Sequence, residues 1–222
     1  MKKSTDILNL FNSIANKYDL LNNLISFGMH KLVKQRAIRN VPLKKGAETL
    51  DLCAGTGDIA AMLAENFRVT AVDFSENMLE IARKRNPGNI KFIQADVLQL
   101  PFEDDSFDAV FISFGLRNLE SLDKGIAEMK RVVKHGGFVV NLDTGKPKGF
   151  IGKLFRFYFF NIVPLIGKIF VKNFAAYKYL PESTENFPPQ EELVEIFKHA
   201  GFRVVRNYNF VFGAMAQQIA KL

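Results

Sequence analysis

The segment Leu50-Asp51-Leu52-Cys53-Ala54-Gly55-Thr56-Gly57-Asp58-Ile59-Ala60 most narrows what this chain can fold into. A short apolar run enters a turn with two glycines, and a helical pattern starts at once. Glycine lets the backbone turn sharply and approach a ligand with no Cβ in the way. Short apolar runs and helical patterns alternate on either side, which predicts βαβ units and a parallel sheet. Strands are expected at Glu48–Leu52, Arg68–Val72, Ile90–Gln94, Asp108–Ser113 and Phe138–Leu142. Helices are expected at Asp58–Asn66, Glu76–Asn86 and Leu122–Lys134, the second N-capped by Ser75 and the third ended by Gly136-Gly137. Pro189–Ala200 reads as a helix ended by Gly201. Phe202–Tyr208 and Phe210–Ile219 then read as an antiparallel hairpin joined at Asn209.

The glycine turn alone does not choose a ligand, because Gly55-Thr56-Gly57-Asp58-Ile59-Ala60 also satisfies the loose dinucleotide fingerprint. Acidic residues narrow the choice. Asp51, where the first strand runs into the turn, suits the ammonium of a methionyl group. Asp58 at the helix start opposes a pyrophosphate there, since two anions would compete for one helix N-terminus. Asp73, followed by Phe74, closes the next strand where an acid can accept both ribose hydroxyls. Asp96, followed by Val97, lies after the third strand, where an acid can accept an adenine amino group. Three acids at successive strand ends beside a glycine turn, at the carboxyl edge of the sheet where open α/β folds bind ligands, point to S-adenosylmethionine. The fourth strand delivers Ser113 and the loop Phe114-Gly115-Leu116-Arg117-Asn118 to the side facing the sulfonium methyl.

With 222 residues the chain has enough length to bury a sizeable core as a single domain. Its single cysteine, Cys53, excludes a disulfide framework and suits a reducing compartment. The start Met1-Lys2-Lys3-Ser4 lacks the apolar run of a signal peptide, so the cytoplasm is expected. The net charge of +7 is concentrated: residues 1–47 contribute +7, residues 148–178 contribute +6, and the remainder is acidic. Nucleic acid, an anionic membrane, acidic substrates or a plain Lys-rich surface all satisfy that charge. The stretch Gly149–Val171 is rich in phenylalanine yet interrupted by Lys153, Arg156, Asn161, Pro164 and Lys168. A spanning helix with cations in its body is improbable. An amphipathic helix capping a pocket or lying at a membrane surface is expected instead, and a packed core helix with snorkelling cations reads the same. No metal site is expected, because His30, His135 and His199 are far apart in sequence and Cys53 sits in the cofactor turn.

Beyond the cofactor half, the loop Phe114-Gly115-Leu116-Arg117-Asn118 resembles the Phe-Gly-Ile-Arg-Asn element of the ubiquinone/menaquinone-biosynthesis C-methyltransferases. The block Tyr18-Asp19-Leu20-Leu21-Asn22-Asn23-Leu24-Ile25-Ser26-Phe27-Gly28-Met29-His30 is similar to that family's N-terminal signature. Arg131-Val132-Val133-Lys134-His135-Gly136-Gly137 resembles its second. The stretch from Tyr158 through Pro164, Gly167, Ala176-Tyr177-Lys178-Tyr179-Leu180 and Glu182-Ser183 to Phe187-Pro188 follows the same pattern, so the likeness runs from about residue 7 to the C-terminus. The chain departs from it at Leu21, Val33, His135 and Asp143, where the family favours Met, Trp, Pro and Glu, and near Gln218, where the family often has His.

The resemblance implies a class I methyltransferase fold: Rossmann-like, with a mostly parallel seven-stranded sheet closed by the antiparallel hairpin. A helical cap (1–46), a cofactor core (47–147), a helical insertion (148–188) and the final helix and hairpin (189–222) would form one domain. It implies carbon methylation of a polyprenyl quinol by S-adenosylmethionine, with 2-demethylmenaquinol the expected acceptor and a methoxy-benzoquinol the alternative. Arg117 and Asn118 would act at the acceptor hydroxyl, and Tyr18 and Asn22 would contact the substrate. Peripheral contact with the membrane would follow, nucleic acid is not expected as a partner, and a homo-oligomer remains open. An RNA or protein methyltransferase, a nicotinamide oxidoreductase and a non-catalytic binding module stay as competing readings.

Overall fold

The computed structural model describes residues 4–171 and 174–222. Met1-Lys2-Lys3 and Lys172-Asn173 of the basic segments lie outside the described residues, as do the side chains of Lys168, Phe170 and Ala176-Tyr177-Lys178. Three helices lead in: α1 (Ser4–Ile14), α2 (Tyr18–Ser26) and α3 (Met29–Arg39). The core then alternates β1 (Glu48–Leu52), α4 (Asp58–Ala64), β2 (Arg68–Asp73), α5 (Glu76–Arg85), β3 (Ile90–Gln94), β4 (Phe107–Ser113), α6 (Leu122–Val132) and β5 (Val133–Thr144). The insertion comprises α7 (Gly149–Phe157), a π turn (Tyr158–Ile162), α8 (Val163–Val171) and α9 (Phe174–Asn186). The chain finishes with α10 (Gln190–His199), β6 (Val204–Phe210) and β7 (Met215–Lys221).

The seven strands form one sheet ordered β3-β2-β1-β4-β5-β7-β6. The first five are parallel, and β7 runs antiparallel to both β5 and β6. This is the expected α/β fold. The order reverses between β1 and β4, so the carboxyl ends of those two strands border the crevice where such sheets bind ligands. Leu50, Leu52, Val110 and Ile112 face one layer and Ala71, Ala109, Phe111 and Val140 the other, as expected of strands covered on both sides. Ser75 caps α5 as expected, its hydroxyl accepting the Met78 N–H.

Two expectations need correcting. Gly136-Gly137 do not end a helix. The helix stops at Val132 and Val133 is already extended, so the glycine pair sits inside β5. There it forms an irregularity opposite Phe107/Ala109, and a Cβ on Gly137 would lie 2.8 Å from the Asp108 carbonyl. The hairpin does not turn at Asn209, which pairs with Ala216 inside the ladder. Asn207 and Asn209 bond side chain to side chain along the strand, which offsets their turn preference. The reversal falls at Val211-Phe212-Gly213, all three with positive φ.

Two departures from the family pattern are absorbed locally. Val33 packs with Ala37 and Leu142 behind Phe114. Gln218 is fully buried in an amide chain, accepting from Asn141 and donating to Asn207. Neither lines the cavities described next.

Leu10, Ile14 and Leu21 of the leading helices pack against Phe159 and Val163 of the insertion. Phe155, Phe159 and Val163 are four residues apart, so one stripe of the insertion is buried in this contact. Its opposite face leaves Phe150, Leu154, Phe157 and Leu165 exposed. Pro164 removes an N–H from the first turn of α8, and the turn before it widens to π geometry.

Candidate active site

Because β1 and β4 end side by side, the turn after β1 meets the loop after β4. A Cβ on Gly115 would lie 2.7 Å from the Cys53 sulfur, so only glycine permits this approach. Cys53 and Phe114 both have positive φ, at 53° and 54°. Gly57, with φ 85°, is equally constrained, since a Cβ there would crowd Ala82 and Asn86 of α5 and its C-cap.

A cavity of about 120 Å³ opens over this junction. Gly55, Asp73, Phe74, Asp96, Val97, Ser113 and Asn118 line it, together with Ile7, Phe11 and Tyr18 of the leading helices. Asp73 is half-buried and shaped in advance, one oxygen accepting the Gly55 N–H and the other the Ser75 N–H, both at 2.8 Å. Burial raises its pKa while those N–H groups pull it back. Asp96 accepts the Leu98 N–H at 2.9 Å and keeps its place at the far wall.

Asp51, Thr56 and Gly57 do not line the cavity. Thr56 donates to Asp19 of α2 at 2.8 Å, Lys34 of α3 pairs with Asp58 at 3.0 Å, and Ser75 donates to Asn12 of α1 at 2.6 Å. The first two bonds tie the leading helices to the glycine turn, and the third ties them to the start of α5. Asp58, read from sequence as an argument against pyrophosphate, thus has a lysine partner. Asp51 is 1% exposed, and its Oδ2 has no partner among the described residues. Burial pushes its carboxyl up to about 8, against the pull of Lys34 and the Ala60 N–H. A buried carboxyl with an unpartnered oxygen under the turn would ionise against an incoming ammonium, so the donor set suits S-adenosylmethionine.

A second cavity, of about 290 Å³, adjoins the first, and Phe11, Tyr18 and Phe114 line both. Its walls are mostly apolar, with Leu10, Ile14, Leu21, Ile25, Phe155 and Phe159 among them. Arg117 and Asn22 line it as well, so Arg117 and Asn118, neighbours in sequence, face different cavities. The Arg117 guanidinium pairs with Asp143 at 2.5 Å and donates to the Phe114 carbonyl at 2.9 Å, with side-chain exposures of 6% and 1% for Arg117 and Asp143. Its Nε has no partner among the described residues. Asn118 donates to the same carbonyl at 3.1 Å and accepts from the Tyr179 hydroxyl at 2.9 Å.

Sequence reasoning gave Asp143, Tyr179 and His30 no role here. Asp143 stood out only as a departure and Tyr179 only as part of a shared pattern. Their pairing with Arg117 and Asn118 crosses 26 and 61 residues, a relation that no local spacing reveals.

A model of the ubiE/COQ5 methyltransferase family matches residues 1–221. A demethylmenaquinone methyltransferase of Staphylococcus aureus (strain JH9) is 42% identical over 217 residues, covering 95% of this chain and 90% of that protein. Among solved structures, a SAM-dependent methyltransferase from Thermotoga maritima superimposes with a TM-score of 0.70 at 20% identity, covering 96% of this chain and 98% of that one. Phosphoethanolamine N-methyltransferase 2 of Haemonchus contortus, solved with S-adenosyl-L-methionine, gives 0.61 at 23% identity, covering 80% of this chain and 38% of that one. Matched over its whole length by the family model and closely related to a named member, the chain belongs to the ubiE/COQ5 methyltransferase family and is an S-adenosylmethionine-dependent methyltransferase.

Proposed function

We propose that this enzyme methylates a ring carbon of a polyprenyl quinol, 2-demethylmenaquinol, to complete menaquinol. The observation that carries this reading is the apolar acceptor cavity joined to the cofactor pocket through Phe11, Tyr18 and Phe114. The demethylmenaquinone methyltransferase relative supports the naphthoquinol over a methoxy-benzoquinol. In this reading, segments 1–46 and 148–188 roof a site carried by 47–147, and residues 189–222 close the sheet.

S-adenosylmethionine, when bound, supplies an electrophilic sulfonium methyl. The protein's task is to align an in-line attack and exclude water. Asp73 and Asp96 would hold the nucleoside at its ribose and base with Phe74 and Val97 beside them, and Asp51, buried behind the Gly55-Thr56-Gly57 turn, would pair with the ammonium. Ser113 and Asn118 line the cofactor cavity at the end of β4 and the loop that follows it. The acceptor reacts as the reduced quinol, since an oxidised quinone ring is itself an electrophile. Arg117, permanently charged, donates to the ring oxygen as negative charge develops there and is no base itself. Tyr18 and Asn22 form the wall against which the ring stacks.

A prenyl tail resides in a bilayer, so the enzyme meets it at the surface. Three segments at or beside the acceptor cavity carry exposed aromatic side chains: Phe27, Phe150 and Phe212, 76%, 80% and 80% exposed. Gly149–Gly167 is long and apolar enough to cross a membrane by length and composition, and most of its residues are not buried. Lys153 and Arg156 within it favour a helix lying at anionic headgroups over one that spans.

The test is transfer of labelled methyl from S-adenosylmethionine to chemically reduced demethylmenaquinone, with a demethylated benzoquinol in parallel. Label in the naphthoquinol supports the proposal. Cofactor binding with no label in either ring overturns it and favours an RNA or protein acceptor.

A further inference from the structure

The acceptor cavity poses a chemical problem that Arg117 does not solve. A quinol ring carbon becomes a strong nucleophile when a neighbouring hydroxyl gives up its proton, and a guanidinium cannot take one. No aspartate or glutamate is among the described residues lining this cavity. Its ionisable side chains are Tyr18, His30, Lys34, Arg117, Tyr158 and Tyr179. Lys34 is paired with Asp58, and Tyr158 and Tyr179 donate their hydroxyl protons to the Ile25 carbonyl and the Asn118 amide. Among the described residues, the remaining nitrogen base is His30.

We propose that His30 is the proton acceptor for the quinol hydroxyl, through its Nδ1 atom. His30 is 4% exposed, on the first turn of α3, and its Nε2 lies 3.0 Å from the Asn23 Oδ1. An amide oxygen accepts, so Nε2 carries the proton and Nδ1 is left as a lone pair. That Nδ1 is buried and has no partner among the described residues. A buried acceptor without a donor costs free energy unless a ligand supplies one. A ring hydroxyl in the cavity is such a donor. Burial and the Lys34 charge, with Lys31 adding and Asp58 opposing, bring its pKa from 6.5 to about 4, so His30 is neutral at pH 7 and its Nδ1 can accept a hydrogen bond; the same shift makes it a weak base, so the proton moves in concert with methyl transfer, as the hydroxyl grows more acidic.

The step balances. The hydroxyl proton passes to His30 Nδ1 while a carbon–carbon bond forms at the adjacent ring carbon and the methyl–sulfur bond breaks. The ring C–H proton then leaves to solvent, the oxygen regains its proton from His30, and aromaticity returns. One proton is released per methyl transferred.

This inference rests on the quinol reading, and its test separates the two. Wild-type turnover on reduced demethylmenaquinone is measured first, and its absence sinks the quinol reading itself. His30→Gln keeps a donor for Asn23 but removes the Nδ1 acceptor. His30→Asn restores an amide oxygen near the Nδ1 position that can accept a hydrogen bond but not a proton. Binding of 1-naphthol against naphthalene, without cofactor, reads the hydroxyl contact apart from turnover. His30→Gln is expected to lose roughly tenfold in its preference for naphthol, and both variants to lose about a hundredfold or more in kcat. His30→Asn is expected to retain the naphthol preference. Turnover and naphthol preference within threefold of wild type in His30→Gln would overturn the assignment. Should His30→Gln fail to fold, loss of turnover in His30→Asn with naphthol preference intact supports it, and retained turnover overturns it.

Discussion

The Tyr179 hydroxyl of α9 donates to Asn118 Oδ1 at 2.9 Å, joining the insertion to the loop after β4. Asn118 lines the cofactor pocket and Tyr179 the acceptor cavity, so this bond lies where the two meet. Burial raises the Tyr179 pKa, with Asp143 adding and Arg117 opposing, so the phenol stays protonated and keeps donating at neutral pH.

Tyr179→Phe removes one hydrogen bond and leaves the ring. The expected cost is about 1 kcal/mol, or several-fold to tenfold in kcat, with cofactor affinity within twofold. Steady-state kinetics beside calorimetric titration of S-adenosylmethionine checks it. An unchanged kcat would show that the bond only braces the insertion.

Arg117 and Asp143 form a buried pair, and removing one partner strands the other. Asp143→Ala is expected to destabilise the fold by about 3–5 kcal/mol, read by urea denaturation. Asp143→Glu, the residue the family favours, keeps the charge and should lose far less. Arg117→Ala should abolish most turnover while cofactor affinity holds. Full turnover in that variant would remove Arg117 from the chemistry.

The cofactor half was legible because its information is local. Strand, glycine turn and helix follow one another, and Asp73 and Asp96 sit at or just beyond strand ends whose positions periodicity alone sets. The acceptor half was legible only in part. Arg117 and Asn118 share a tripeptide with Leu116, but the 3-10 turn Leu116–Asn118 sends their side chains to different cavities. The hairpin turn was misplaced because Asn209 has turn chemistry, whereas Val211 and Phe212, which make the turn, disfavour left-handed backbone. Their conformation is set by the strands on either side and not by their own preference.

Asp51 sets a pH dependence. Its folded pKa, about 8, lies above the ordinary 3.8, so the folded state holds its proton more tightly than the unfolded one. That stability is present below pH 4 and is lost as pH rises toward 8. His30 runs the other way, its folded value of about 4 lying below 6.5, so its contribution is present above pH 6.5 and lost as pH falls toward 4. Asp51→Asn should therefore melt higher than wild type at pH 8, by a margin that vanishes near pH 4, and should bind S-adenosylmethionine at least tenfold more weakly. Bound cofactor should narrow the melting difference by pairing with the wild-type carboxylate. Equal melting at pH 8 would mean that Asp51 is already compensated without a ligand.

The exposed aromatics predict a lipid-facing rim. Phe27 and Phe212 hold φ values of 50° and 56°, a backbone region that bulky residues avoid. Such positions cost of order 1–3 kcal/mol each, and here they present rings that water does not favour. The α2 C-cap and the β6–β7 reversal set those φ values, and an acyl-chain boundary would give the rings they expose an apolar environment. Transfer of a phenylalanine side chain from water is worth about 1.5–3 kcal/mol, so losing three rings from such a boundary should weaken binding by at least a hundredfold. Phe27→Ser, Phe150→Ser and Phe212→Ser together should release the enzyme from anionic vesicles in flotation. Phe150→Ser with Phe212→Ser, at positions that line neither cavity, should leave turnover of a short-tailed, water-soluble quinol within twofold of wild type. High salt should weaken wild-type binding further, because Lys153 and Arg156 are exposed on the same helix. If wild-type enzyme does not float with anionic vesicles at low salt, the aromatics face something other than lipid.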